Sequence, residues 1–322
     1  AMIVTEKSAM RTGFAKEVRA IAQTDPNVIL LGCDVTRSLF LDSFAEELPE
    51  QYLSIGIAEQ NAAGIAAGLA LCGKKPVFAT YAAFATTRAL DQIRMSICYN
   101  NAGVFIAGAH AGLSVGPDGG SHQALEDIAV MRSLAGMTVV LPCDANETAA
   151  ATMYYLEGEM DSPVYMRFGR NEVPNFTAPE KEFKAGAELL HKGDGSFFIV
   201  THGAMVWNCL EVVERLEAQG VHPSLIQIRT LGDGLADAVI RESHSAQSVL
   251  VVEEHQVQGG VGEYVARILG ANDSMSPLSN ITCIGVNSVF GQSGTPEELY
   301  QLHGLSADKI FTTALHLASN RS

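Results

Sequence analysis

The 322-residue chain is 47% hydrophobic and 18% charged, long and apolar enough for two domains with a large core. Its 21 Lys and Arg against 36 Asp and Glu leave a net charge of −15. That balance argues against a nucleic-acid partner but says little about a small anionic substrate, which feels the local field of a cleft. The longest apolar runs, such as 27–33, have strand length, so no membrane span is expected.

Ala1-Met2 reads as a tag remnant before a native Met, and the charged, helix-periodic stretch after it is unlike a signal peptide. Phe14, Val18 and Ile21 recur at helical spacing within 10–23. Val28-Ile29-Leu30-Leu31 follows as a strand with no polar face, the mark of a parallel sheet covered on both sides. Helices over 59–72, 87–100, 123–133 and 144–157 then alternate with strands over 76–81, 104–108, 138–141 and 163–167. The stretch 169–195 is polar and holds Pro174 and Pro179, so it is expected to link two domains, 1–180 and 181–322. A second series has strands over 197–201, 224–229, 249–253 and 281–286, with helices over 205–219, 235–243 and 260–269. Two closing helices start near Thr295 and Ser306. The predicted fold class is α/β, with two consecutive doubly wound domains.

Six cysteines lie at 33, 72, 98, 143, 209 and 283 without a CxxC pair, and they read as reduced core residues of a cytoplasmic protein. In such sheets ligands bind beyond the carboxyl ends of the strands, so the residues following each strand carry the functional reading.

Gly56-Ile57-Ala58-Glu59-Gln60-Asn61 puts a carboxylate at the mouth of a helix of small apolar residues, with no Lys or Arg in its first turn. Glu59 is either a capping acid or an acid kept to hydrogen-bond a ligand. Tyr81 and Phe84, three apart after a strand, cap the core or wall a planar ligand. The loop 110–123 carries His110, Asp118 and His122 among four glycines, which let backbone approach a ligand. It reads as a binding loop, with a solvated loop or a metal site as alternatives.

Three glycine-rich strings are decoys. Gly193-Asp194-Gly195 precedes its strand, Gly232-Asp233-Gly234 has no plausible Asn before Asn272, and Gly259-Gly260-Val261-Gly262 lacks the third glycine of a dinucleotide fingerprint. No metal ligand is expected from this chain.

The string 56–69 resembles the glutamate segment of the pyrimidine-binding domain in thiamine-diphosphate enzymes of the transketolase kind. The resemblance implies that Glu59 contacts the cofactor's aminopyrimidine ring and favours the tautomer that removes the thiazolium proton. It implies that Tyr81 and Phe84 pack on that ring, although Thr87 departs from a third aromatic position. It also implies that Asp118 and His122 hydrogen-bond sugar hydroxyls, that His110 lies nearer the anionic end, and that Arg11, Ser38 and Arg170 bind an anionic tail. Arg37 stands where many relatives have Pro.

The likeness covers only the pyrimidine-side and C-terminal domains of a transketolase. The domain whose Gly-Asp-Gly and Asn hold Mg2+ against the diphosphate is absent, which implies a second polypeptide and a heterotetramer with two shared sites. The chain is therefore expected to be the C-terminal subunit of a split transketolase, moving a two-carbon ketol unit from a phosphorylated or sulfonated ketose to an aldose. Glu59 would activate the cofactor, His110 and His122 would assist proton movement and carbonyl polarisation, and Asp118 would select hydroxyl configuration. Alternatives are the β subunit of a 2-oxo acid dehydrogenase, a split deoxyxylulose-phosphate-synthase-like enzyme, and a non-catalytic protein keeping the fold.

Overall fold

The computed structural model describes residues 6–179, 182–232, 234, 236–244, 246–271 and 280–319. The first half begins β1 (Lys7–Ala9), α1 (Met10–Thr24), β2 (Val28–Gly32), α2 (Asp42–Glu47), β3 (Tyr52–Ser54), α3 (Glu59–Leu71) and β4 (Lys75–Tyr81). It continues α4 (Ala82–Thr86), α5 (Leu90–Gln92), β5 (Phe105–Ala109), α6 (Asp127–Arg132), β6 (Thr138–Val140), α7 (Ala145–Glu157), β7 (Val164–Arg167) and β8 (Glu172–Pro174). The second half runs β9 (Ala187–His191), β10 (Phe197–His202), α8 (Met205–Glu217), β11 (Ser224–Ile228), β12 (Thr230–Leu231) and α9 (Asp237–Arg241). It ends β13 (Ser248–Gln256), α10 (Val261–Gly270), β14 (Asn280–Val286), α11 (Pro296–Leu302) and α12 (Ala307–Ser319).

The apolar strands β2, β4, β5, β6 and β7 pair in parallel, with helices on both faces supplying the cover that their continuous hydrophobicity requires. Met10, Phe14, Val18 and Ile21 of α1 are all buried, and Phe14 stacks on Phe105 of β5 with 6.2 Å between ring centroids. Burial of a side chain such as Phe14 contributes roughly 1.5–3 kcal/mol. Gly13 lets α1 approach α7, since a Cβ there would lie 2.0 Å from the Ala145 carbonyl oxygen. Asp144 starts α7 by accepting the Glu147 N–H at 2.8 Å. Its other oxygen accepts from Thr177 N at 2.8 Å, which ties down the chain leaving the first sheet.

The second sheet runs β14-β13-β10-β11-β9, parallel except for the β9 edge. The two halves interlock. β12, from the second half, pairs antiparallel with β6 and completes the first sheet in the order β12-β6-β7-β5-β4-β2-β3. Arg167, at the end of β7, donates from Nε to Asp127 Oδ2 at 2.8 Å and from Nη2 to the Glu254 carbonyl at 2.7 Å.

Three expectations need correction. The helix over 87–100 is shorter and changes its winding: 87–89 form a turn, α5 begins at Leu90 and a π-helical turn occupies Ile93–Cys98, while the unexpected α4 ends before it at Thr86, whose hydroxyl bonds back to the Ala82 carbonyl at 2.8 Å. The stretch 169–195 holds two strands, β8 paired antiparallel with β1 and β9 paired with β11. Among the cysteines, Cys33, Cys143 and Cys209 are buried, but Cys72 is exposed at the end of α3.

Candidate active site

The first sheet turns its carboxyl edge toward one cluster of loops. Glu59 opens α3 after β3, Tyr81 ends β4, His110 follows β5, and Arg170 follows β7. Arg11 reaches the same edge from α1.

Glu59 is almost completely buried, and its helix start offers no side-chain cap. Its partner is Arg88, whose Nη1 donates to Glu59 Oε2 at 2.7 Å. The sequence does not reveal this pair because Arg88 lies on a different element, between α4 and α5. The Arg88 guanidinium also sits 4.5 Å over the centre of the Phe84 ring. Phe84 stacks with Tyr81 at 5.8 Å and 17°, and His122 meets Phe84 edge-on at 5.3 Å. Tyr81 packs against His110 at 4.4 Å, and Arg11 Nη1 lies 2.9 Å from His110 Nε2. One unbroken run of contacts thus leads from Glu59 through Arg88, Phe84, Tyr81 and His110 to Arg11, with His122 on its flank.

His110 is buried with φ of 55°, and burial, followed by Arg11, Arg170 and His122, pushes its pKa down to about 3. It is therefore neutral. Arg11 can only donate, so His110 Nε2 accepts and the proton sits on Nδ1. That buried Nδ1 has no partner among the described residues, so its N–H is a donor left for a ligand. Burial and then Arg170 lower the Arg11 pKa as well.

The loop after β5 is held from the second half. Ser114 N donates to Glu254 Oε1 at 2.8 Å, and Tyr300 donates to the same oxygen at 3.2 Å. Gly112, with φ of 77°, leaves room for that carboxylate, since a Cβ there would lie 2.5 Å from the Glu254 carboxyl carbon. Gln123 Nε2 reaches the Gln292 carbonyl at 3.0 Å. Glu254, like Arg88, escapes sequence reading: it is 140 positions from Ser114.

Asp118 and Arg170, expected to meet different parts of a substrate, are paired with each other at 3.1 Å. Arg170 Nη1 also donates to the Val115 carbonyl at 3.0 Å, and His122 Nδ1 lies 2.9 Å from Ser121 Oγ. Ser38 is exposed in the turn Arg37–Leu39 and stays outside the run of contacts, although nearby Phe40 carries Arg11 4.3 Å over its ring.

Of the glycine-rich strings, Asp194 bonds Ser196 N at 2.8 Å in a turn. Asp233 and Asn272 lie outside the described residues. At Gly259-Gly260-Val261-Gly262 the N–H groups of Val261 and Gly262 are taken by Glu253, at 2.7 and 3.1 Å.

The pyrimidine-binding domain of transketolase matches residues 6–175, and the transketolase C-terminal domain matches 186–310. A 6-deoxy-6-sulfo-D-fructose transketolase subunit from Clostridium sp. is 30% identical, over 98% of this chain and 97% of that protein. An apulose-4-phosphate transketolase subunit of Phocaeicola vulgatus is 32% identical, over 95% and 96% respectively. A solved structure described as a split gene transketolase, inactive β4 tetramer, superimposes with a TM-score of 0.85 at 37% identity, over 96% of this chain and 99% of that one. The Campylobacter jejuni transketolase shares the fold, with a TM-score of 0.82 at 21% identity over 47% of its length. The chain belongs to the transketolase family of thiamine-diphosphate enzymes and has the domain content of a split transketolase subunit.

Proposed function

We propose that this chain, completed by a diphosphate-binding partner subunit, transfers a two-carbon ketol unit from an anionic ketose to an aldose. The run of contacts from Glu59 to Arg11 carries this reading, because it sets a buried carboxylate, an aromatic wall, two histidines and a cation along one sheet edge. The donor set suits an aminopyrimidine: a carboxylate for a ring nitrogen, and the flat apolar surface of Tyr81 and Phe84 for the ring face. When bound, thiamine diphosphate supplies the carbanion that attacks the ketose carbonyl.

The chain's own residues do the rest. Glu59 shares a proton with the ring nitrogen. His110 offers its Nδ1 proton to a substrate oxygen, and His122 exchanges a proton at the reacting carbons. Asp118 selects hydroxyl configuration, while Arg11, Arg170 and Ser38 receive the anionic tail. Phosphate and sulfonate both fit such a tail site, and relatives named for apulose-4-phosphate and 6-deoxy-6-sulfo-D-fructose support an anionic substrate.

Residues 1–180 form the catalytic unit in this reading, and 181–322 brace it. Mg2+ and the diphosphate are held mainly by the partner, in a cytoplasmic heterotetramer with two sites. The exposed apolar side chains Ile57, Leu71 and Tyr99 around α3 support docking of another chain, as does a relative described as a split gene transketolase in an inactive β4 tetramer. No helix among the described residues is long and apolar enough to cross a membrane.

Calorimetric titration of thiamine diphosphate with Mg2+ tests the reading. Binding and ketol transfer are expected only when this chain is mixed with its partner. Glu59→Gln should lower turnover by about 10²–10⁴-fold. Tight binding and turnover by the chain alone would overturn the proposal.

A further inference from the structure

We propose that Arg88 is a removable counter-ion for Glu59, which the aminopyrimidine displaces from both the carboxylate and the Phe84 ring. The inference rests on the reading of Glu59 given above, and it adds a positioning residue to the site.

Arg88 covers two of the surfaces that this ring needs. Its Nη1 donates to Glu59 Oε2 at 2.7 Å, and its guanidinium lies 4.5 Å over the centre of Phe84. A guanidinium is planar, carries N–H donors on its edge, and stacks on aromatic faces. In shape and donor pattern it stands in for an aminopyrimidine, so the two groups compete for the same place.

Burial makes the contest one-sided. The Glu59 side chain is 1% exposed and that of Arg88 is 42% exposed, so the arginine can swing into water while the carboxylate stays. Among the described residues Arg88 is the cation that ion-pairs with Glu59, and a buried carboxylate stripped of its partner is strongly disfavoured. The pair therefore stabilises the chain until a ring arrives. Its release is equally necessary, because the ring nitrogen needs the carboxylate that Arg88 occupies and the ring face needs the surface of Phe84 that its guanidinium covers.

Two measurements test this. In urea unfolding of the chain alone, Arg88→Met should destabilise, and the double variant Glu59→Gln/Arg88→Met should regain most of the loss. Independent, additive effects would overturn the pairing role. In titrations of thiamine diphosphate with Mg2+ into the assembled subunits, Arg88→Met should bind about fivefold more tightly than wild type, the size of a half-exposed ion pair. Arg88→Lys, which keeps the charge but loses the planar fork, should shift binding the same way by less. Unchanged or weaker binding by Arg88→Met would show that the arginine stays with the carboxylate and would overturn displacement. If the wild-type assembly bound no cofactor, the functional reading itself would fail; wild-type binding without the Arg88→Met gain defeats only this inference.

Discussion

Arg170 Nη1 lies 3.1 Å from Asp118 Oδ1, so the two side chains expected at opposite ends of a substrate are each other's partner. Both are about a third or more exposed, and breaking the pair should change stability by less than about 1 kcal/mol. Its effect belongs to substrate handling. Asp118→Ala should lower kcat/KM for the ketose by about tenfold or more, the worth of a hydrogen bond to a charged group. Arg170→Ala should raise KM for an anionic ketose and leave an uncharged analogue little affected. Steady-state kinetics with a charged and an uncharged donor separate the two roles, and equal losses with both donors would contradict them.

His110 makes stability depend on acid. Its pKa in the fold is about 3 against an ordinary 6.5, so between those values the unfolded chain binds a proton that the folded chain does not. Stability therefore falls as the pH drops below 6.5. At about pH 5 the loss from this residue is about 2 kcal/mol. Urea midpoints at about pH 5 and about pH 7.5 should differ less for His110→Gln than for wild type. His202 and His255, also pushed down by burial, keep part of the slope.

Glu254 couples the second half to the loop after β5. Glu254→Ala leaves the Ser114 N–H and the Tyr300 hydroxyl without their buried acceptor. The expected cost is about 2–4 kcal/mol, with a rise in KM for the ketose because Leu113–Asp118 loses its support. Glu254→Gln keeps an acceptor and should lose less on both counts. A melt combined with kinetics reads both effects, and an unchanged KM would show that the loop holds itself.

Gly13→Ala forces α1 away from the Ala145 carbonyl, which a new Cβ would approach to 2.0 Å. Overpacking of this kind costs about 1–3 kcal/mol. Because α1 carries Arg11, the variant should also weaken binding of the anionic donor. Full stability with alanine at this position would mean that α1 and α7 separate freely.

Much of the fold was legible because buried parallel strands carry no polar face: Val28–Gly32, Lys75–Tyr81 and Phe105–Ala109 stand out from their surroundings. Short strands such as Lys7–Ala9, Glu172–Pro174 and Thr230–Leu231 were not legible, since two or three residues hold no period and exist through distant pairing. The short helix Ala82–Thr86 was missed because five residues hold too little of a helical period to stand out from the strand before them. In the candidate site, Glu59, Tyr81, Phe84, His110 and His122 were named by motif, and the structure places them along one run of contacts. Arg88 and Glu254 were not, because a charge partner supplied by another element leaves no mark on local spacing.

The crossing strand Thr230–Leu231 also bears on how the protein is made. During synthesis the first sheet emerges long before the residues that finish it, so β6 leaves the ribosome as an open edge awaiting its neighbour. A polypeptide ending near residue 180 would keep that edge bare and lack the Glu254 support, so it should self-associate in light scattering where the full chain does not. The first sheet is thus complete only when residues 230–231 have arrived, and the loop after β5 gains its Glu254 acceptor later still.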